Sequence, residues 1–503
     1  EKNHPQLVKA LLHQYRYLQY NEENSAPKIV ADLQQTIASA DFPLKNVLQS
    51  ILADNYWSYF NSNRYSILSR TKVADTLQDF ETWDAQRFGE TVNQLYLESL
   101  TSAKSLQSIP IKQYEAIVQQ GDTESRTFRP TLYDFLAQRA IDFFSDSQSN
   151  LTKAAEQYQI TDPRYFGNAN TFVQLPLPTE ATTLVHAIRL YQQLTQFHLT
   201  DAAPDALVDL ELKRLDFVHQ NTQIDNKDYL QYDAFVALEK KYPNTSTAPR
   251  LMYRRAQFHQ NKGNAFHAYN QPESKDELKK AVSILQQIIQ KYPKSNAAGN
   301  ANLLIDQIKT KNIAVRCEHS NLPNLPFRVL VDYKNTERLY VRVIEMNEAV
   351  KKAFTDAEQR TDDYQQKKLR KFLSEQKSIW DTQVNLPNTD DYQNHSTEIK
   401  INALPIGEYI LLCSADSRFS IDANALGYAR LSVTEIAFIN ATDKNTANGY
   451  VVHRQTGQPL PNTNYEIFKI QYEYKNYRQN IIRTSIHKGT SDAEGYFQYA
   501  LPY

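Results

Sequence analysis

The sequence predicts a multidomain chain, α first and β second: a helical-hairpin amino-terminal region followed by antiparallel β-sandwich domains. From Pro5 to about Lys311, apolar residues recur at steps of three and four, the period of a helix face. From Asn312 onward they alternate, the period of a half-buried strand. In this second part short apolar runs are separated by Gly, Pro, Asn and Asp, which is the pattern of a many-stranded antiparallel fold.

At roughly 100–200 residues per domain, a chain of 503 residues holds about three or four domains. Hydrophobic residues make up 41% and aromatic residues 11%, enough for a normal core in each. Lys and Arg number 56 and Asp and Glu 57, a balance that leaves no electrostatic footprint for nucleic acid. The 32 Tyr and 22 Phe suit seams between packed helices. No run of 18 apolar residues occurs, so a membrane would be met only through an anchor upstream of this chain. The first residue is Glu1 rather than Met, and an upstream segment is expected to have been removed or left out. Two Cys, Cys317 and Cys413, are too few for a disulfide scaffold and fit an intracellular or an exported bacterial protein.

The helical domain is expected over 1–220. In "RPTLYDFLAQRAIDFF", Leu132, Phe135, Leu136, Ala140, Phe143 and Phe144 form one stripe, with Pro130 in the first turn, where its missing N–H costs nothing. "FPLKNVLQSILADNYWSYF" supplies a second helix with Val47, Ile51, Leu52, Trp57 and Phe60 as core candidates. Between 221 and 311 the sequence repeats itself. "LEKKYPNTSTAPRLMYRRAQF" and "IIQKYPKSNAAGNANLLIDQI" each read as a helix ending in Lys-Tyr, a Pro stop, a polar turn and a second helix. Their Tyr-Pro steps, at 242 and 292, lie 50 residues apart. This is the logic of tetratricopeptide-like helical hairpins, whose usual period is about 34 residues; the excess fits in "HQNKGNAFHAYNQPESK".

A first β-sandwich is expected over 312–436. Its strands are "IAVRC", "LPFRVLVDY", "RLYVRVIE", "SIWDTQVNL", "STEIKIN", "GEYILLCS" and "GYARLSVTEIAFIN". In "RLYVRVIE" Leu339, Val341 and Val343 share one face, Tyr340 and Arg342 the other. A charged stretch over 346–377 reads as an exposed helix or mobile insertion laced with opposite charges. A second β-sandwich is expected over 437–503. There "VVHRQTGQPLPNTNYEIFK" reads as strand, tight turn, strand, with the turn at Gly457-Gln458-Pro459. Asp492-Ala493-Glu494-Gly495 supplies another turn before "YFQYAL", and one or two further strands are expected for closure.

These phrases carry a resemblance. "LPIGEYILLCS", Leu404–Ser414, is similar to the Leu-Pro-x-Gly-x-Tyr strand entry of macroglobulin domains, and "VVHRQTGQPLPNTNYEIF" with "SDAEGYFQY" resembles the next such domain. The pairing, behind a long helical region that includes "RPTLYDFLAQRAIDFF", resembles the amino-terminal region of bacterial, Bacteroides-type, alpha-2-macroglobulin-like proteins. The resemblance covers most of the chain and is more specific from Ile313 onward. It implies macroglobulin-like β-sandwich domains in an exported, often lipoprotein, protease trap, periplasmic or anchored to the outer membrane of a Gram-negative bacterium. In such a trap a protease cuts a bait segment, the molecule closes, and a thioester can attach to the attacker. The thioester takes a Cys-x-Glu-Gln arrangement. Cys317 is followed by Glu-His-Ser and Cys413 by Ser-Ala-Asp, so neither matches. The chain is therefore expected to be an amino-terminal portion of a larger protein, with proteases as partners of the whole.

The chemistry-bearing patterns are sparse. His-Glu-x-x-His, Gly-x-Ser-x-Gly and a Gly-rich phosphate loop are absent, with 11 Gly in all. His259 with His267, and Cys317 with His319, lack the spacing or the second pair of a metal site. "DFETWDAQRFGE", Asp79–Glu90, places acids at positions one, three and twelve of a calcium loop. Position six, where Gly belongs, is Asp84, and the segment reads as a solvated helical face. Asp416 and Asp422 flank a β-edge loop that reads as an acidic turn, with a cation site as the alternative. Ile313, Val315 and Cys317 alternate onto one strand face, as do Tyr409, Leu411 and Cys413. If both faces enter one core the sulfurs are neighbours; buried thiols acting as small hydrophobes is the reading taken, with a bridge as the alternative in an oxidising compartment. No catalytic, cofactor-binding or metal-ligating residue is assigned and no cofactor is expected. The expected function is a non-catalytic structural segment of the trap. The rivals are a helical-repeat interaction scaffold with β-sandwich spacers at the cell envelope, holding an envelope protein partner, and an exported glycan hydrolase, for which no acid pair is identified.

Overall fold

The computed structural model describes residues 3–70, 79–119, 121, 125–149, 158–179, 182–243, 245–358, 362–422, 424–442, 445–475 and 478–501. The chain divides into two compact units, Glu1–Phe258 with Ile284–Ala301, and His259–Ser283 with Asn302–Tyr503. No described helix is long and apolar enough to cross a membrane.

The first unit is helical and has one large core. The helix Leu132–Ser145 is buried on nearly every side: Leu136, Ala137 and Ala140 are wholly enclosed and Tyr133, Ile141, Phe143 and Phe144 nearly so, whereas Phe135 is only partly buried. A helix apolar all round belongs in the middle of a bundle. It starts later than the sequence suggests. Thr131 is the N-cap, and a reciprocal capping box joins its side chain to the backbone of Asp134 and the Asp134 carboxylate to the backbone of Thr131. Pro130 thus lies before the cap, where its carbonyl accepts from Ile111 N at 2.9 Å. The helix Leu44–Ser62 buries Val47, Leu52, Trp57 and Phe60 as expected, with Ile51 at the margin, and adds Leu48, Ala53 and Tyr56.

The two Tyr-Pro steps have matching local structure. Helices Lys227–Lys241 and Glu277–Lys291 end there, with Tyr242 N on Leu238 O at 2.9 Å and Tyr292 N on Ile288 O at 2.8 Å. In each turn a hydroxyl three residues on, Thr245 or Ser295, donates to the tyrosine carbonyl, at 3.0 and 2.8 Å. Helices Ala248–Asn264 and Asn296–Lys309 follow.

The second unit contains the strands. In chain order they are β1 (Asn312–Cys317), β2 (Ser320–Asn321), β3 (Phe327–Lys334), β4 (Arg338–Glu345), β5 (Trp380–Asn385), β6 (His395–Ile401), β7 (Gly407–Ser414), β8 (Leu426–Val433), β9 (Ile436–Asn440), β10 (Thr446–His453), β11 (Asn464–Lys475), β12 (Arg478–Thr490) and β13 (Tyr496–Ala500). One sheet has the order β1-β3-β6 and faces a second of order β2-β8-β7-β4-β5; every pairing is antiparallel except β2 with β8. Between them lies a core that includes Val329, Val331, Leu339, Val341, Val343, Leu411 and Cys413. "GYARLSVTEIAFIN" is two strands rather than one: β8 stays in this sandwich and β9 pairs with β10.

The described residues of the charged stretch are largely helical, exposed on one side and packed on the sheet by the other. They form helices Glu348–Glu358 and Asp363–Ser374, which pack Val350, Phe354, Ala357, Leu369 and Leu373 against Ile344, Ile410 and Leu412. The reason is in the strands. β4 and β7 carry apolar residues on both faces, and the second face needs a cover. Arg342, on that face, lies 3.9 Å over the Phe419 ring and donates to Ser374 O.

Beyond β8, the order β13-β10-β9 forms one sheet and β11-β12 a hairpin with a bulge at Ile467/Phe468. "VVHRQTGQPLPNTNYEIFK" is therefore not a hairpin: its two strands lie in different sheets. Gly457 (φ +72°) donates to His453 O at 2.8 Å, and Leu460 N returns to Val451 O at 3.0 Å. Gly495 also sits at φ +72°, where a side chain would meet Val451 O. Aromatic rings of the two sheets stack, Tyr465 on Phe497 and His487 on Tyr499, both at 4.3 Å.

Candidate functional site

The structure separates most of the residues that the sequence singles out. His259 bonds Glu277 through Nδ1, while His267 closes a turn by accepting from the amides of Tyr269 and Asn270. Burial pushes the Glu277 carboxyl up, but the hydrogen bonds from His259 and Lys280 outweigh it and hold it below the usual range. Cys317 is half-buried with its sulfur 3.9 Å from Arg430 O; His319 is exposed beside Ser320. Asp79–Glu90 is not one helix. Asp79 caps the short 3₁₀ turn Phe80–Thr82, and Asp84 caps the helix Ala85–Ser99 by accepting from Arg87 N at 2.8 Å. Asp416 folds back on Ser420 and Arg418, and Asp422 pairs with Lys367 at 3.2 Å on the surface, so the two acids serve separate purposes. Cys413 is enclosed in the sandwich core and Cys317 packs at its edge; both are free thiols. Among the described residues no three His, Cys, Asp or Glu side chains gather as a metal site.

Two buried polar clusters organise the helical unit. His198 is 2% exposed and lies between two carboxylates, Nε2 on Asp134 and Nδ1 on Asp201, each at 2.7 Å. Burial works against a charged ring, but the two carboxylates outweigh it and raise its pKa above the ordinary value. Arg214, 1% exposed, binds both Glu211 oxygens at 2.7 Å and donates to the carbonyls of Tyr165 and Gly167. These acceptors lie on separate segments of chain, so the pair works as a clamp rather than as a reactive group.

In the second unit a cleft of about 290 Å³ opens where the β5–β6 loop meets the turn after β3. Asp391 is central to it, with a side chain 1% exposed. Its Oδ1 takes His395 Nε2 at 2.8 Å, Thr389 Oγ1 at 2.9 Å and Gln393 N at 3.0 Å. Its Oδ2 is buried with no partner among the described residues. Burial pushes this carboxyl up, but the three donors, His395 foremost, more than offset it and keep the group ionised. The loop is fixed from both sides. Gln393 Nε2 donates to Gly263 O at 3.0 Å and to Lys275 O at 3.3 Å, and Tyr333 Oη donates to Pro387 O at 3.0 Å. Asp390, Tyr392 and Asn335 hold left-handed backbone at φ +44°, +58° and +54°. Such non-glycine residues cluster where surrounding structure over-determines the chain.

The Leu-Pro-x-Gly-x-Tyr phrase also closes on itself. Leu404 is buried, and its carbonyl accepts from Asn324 N at 3.2 Å. The Tyr409 ring folds back over Gly407, where any Cβ would strike it, and its hydroxyl donates to Pro405 O at 3.0 Å. The glycine, the proline carbonyl and the tyrosine thus form one corner at the entry to β7.

Several solved structures show a slight likeness to this chain. A solved structure of native alpha-2-macroglobulin from Escherichia coli spanning domains MG0-NIE-MG1 matches 38% of this chain at 14% identity and a TM-score of 0.25. A second, spanning domains NIE-MG1, also matches 38% at 14% identity, with a TM-score of 0.23 and 88% of that chain covered. The match spans 57% of the first of these structures. Red sea bream transglutaminase matches 42% of this chain at 11% identity and a TM-score of 0.18. These likenesses are slight. Compared by sequence, the chain matches no family model and no curated protein.

Sequence reasoning missed Asp391, His395 and His198. Asp391 stands in "NLPNTDDYQNH", which reads as a polar loop, and that loop is held through Gln393 by the carbonyls of Gly263 and Lys275, more than a hundred residues earlier. His198 lies next to Asp201 in sequence, but its decisive partner, Asp134, is on another helix.

Proposed function

We propose that this chain is a non-catalytic structural segment of an exported, macroglobulin-like protease trap, located in the periplasm or anchored at the outer membrane. Its helical part, including tetratricopeptide-like hairpins at the two Tyr-Pro steps, and its sandwiches form part of the shell; proteases are the partners of the whole protein. The observation that carries the reading is the Leu404–Tyr409 corner. Two of the residues through which the sequence resembles macroglobulin domains, Pro405 and Tyr409, bond to one another across Gly407 at the entry to a central sandwich strand. A resemblance made of mutually dependent positions is stronger than one of scattered identities. Neither Cys stands in a Cys-x-Glu-Gln arrangement, so a thioester, where the native protein has one, lies outside this chain.

The purified chain is expected neither to inhibit a protease nor to react with methylamine; either activity overturns the non-catalytic reading. Antibody capture of the native protein and measurement of its intact mass test the rest. A mass well above 58.2 kDa supports the trap. A mass equal to it replaces the trap with a helical-repeat scaffold whose sandwiches act as spacers at the cell envelope.

A further inference from the structure

We propose that the cleft around Asp391 binds an alkylammonium group, the end of a lysine side chain or of a free amine. Asp391 is paired with His395 through Oδ1, but its buried Oδ2 has no donor among the described residues, and a buried oxygen left without a hydrogen bond is costly. Glu337 and Asp390 also line the cleft, with the ammonium of Lys309 beside them and Lys279 paired to Asp390 at 3.6 Å. His395 and Thr389 are committed to Oδ1 and do not reach the free oxygen. A compact point charge with three donors and no acceptor suits such a place. An anion would be repelled by the Asp391 carboxylate. Calcium wants six to eight oxygens, with several carboxylates among them, and no group of three metal-ligating side chains is present among the described residues. A cleft of about 290 Å³ is at the small end of ligand sites, the size for one side-chain-like ligand. The proposal stands apart from the protease-trap reading and survives its failure.

The test uses the full chain with ¹³C-labelled histidine, the His395 signal being assigned with a His395→Gln variant. It is titrated at constant ionic strength with n-butylammonium, with an acetylated and amidated Gly-Lys-Gly peptide, and with tetramethylammonium, which has no N–H donors. The His395 signal is expected to shift saturably with the first two and not with the third. A peptide that binds at least tenfold more tightly than butylammonium makes a partner's lysine the source; comparable binding makes it a free amine. Asp391→Asn is expected to weaken binding more than about a hundredfold, as removal of a buried partner does. Because that variant can also disturb the loop, Glu337→Gln on the exposed rim serves as the second probe, with an expected loss of about two- to fivefold. No shift, an equal shift with tetramethylammonium, a saturable shift with calcium in place of the amines, or unchanged binding in both variants overturns the proposal.

Discussion

The Tyr409 hydroxyl donates to the Pro405 carbonyl at 3.0 Å, across the glycine that lets the ring lie flat against the chain. Without it the carbonyl loses its donor at the corner that sets the start of β7. Tyr409→Phe is expected to lower stability by about 0.5–1.5 kcal/mol. Gly407→Ala, whose Cβ would meet the ring, is expected to cost more than that. Urea unfolding of the two variants checks both values; a neutral Tyr409→Phe would reduce the corner to simple packing.

The Asp134–His198–Asp201 cluster makes the helical unit sensitive to pH. The folded-state pKa of His198 is raised, so protonation binds more tightly in the folded chain than in the unfolded one. Its stabilisation is complete below the unfolded value of about 6.5 and is lost as pH rises through the raised folded value. Unfolding midpoints of the wild type are expected to fall from pH 6 to about pH 9, with His198→Gln less stable at pH 6 and flatter in its pH response. Parallel slopes in the two proteins would assign the pH effect to other groups.

The helices Glu348–Glu358 and Asp363–Ser374 cover an apolar sheet face, which gives their removal a measurable cost. Leu373, wholly buried, is expected to cost about 2–5 kcal/mol when replaced by Ala. Hydrogen exchange at β4 and β7 amides is expected to accelerate with it. Unchanged exchange there would mean that the helices merely rest on the sandwich.

The two thiols are expected to be unreactive in the folded protein. Burial pushes both above the ordinary thiol range, Cys413 much further than Cys317. At about pH 7, alkylation is expected to be negligible at Cys413 and slow at Cys317. In denaturant without reductant two thiols are expected to be modified; none modified would reveal a bridge between β1 and β7.

Much of the architecture was legible because it rests on local periodicity. Leu339, Val341 and Val343 alternate, and the structure encloses all three. The Tyr-Pro steps at 242 and 292 announce helix ends, and both helices end there. The charged stretch misled for a physical reason. Its apolar residues are few, and what makes them core is the outer face of β4 and β7, formed by strands far apart in sequence. "VVHRQTGQPLPNTNYEIFK" misled in the same way: its turn chemistry is real, but chain direction alone does not say whether two strands share a sheet.

By itself, the sequence determined the order of helical and β parts, the turn positions, and the residues of the Leu404–Tyr409 corner. These depend on neighbours within a few residues, where spacing and residue type dictate conformation. Only the tertiary structure decided which acids and imidazoles matter. Asp391 is left half-unsatisfied in a loop that distant backbone fixes through Gln393, and the His198 pKa is raised because Asp134 arrives from another helix. Burial and long-range pairing set the energy of a charged group, and neither can be read from its neighbours along the chain.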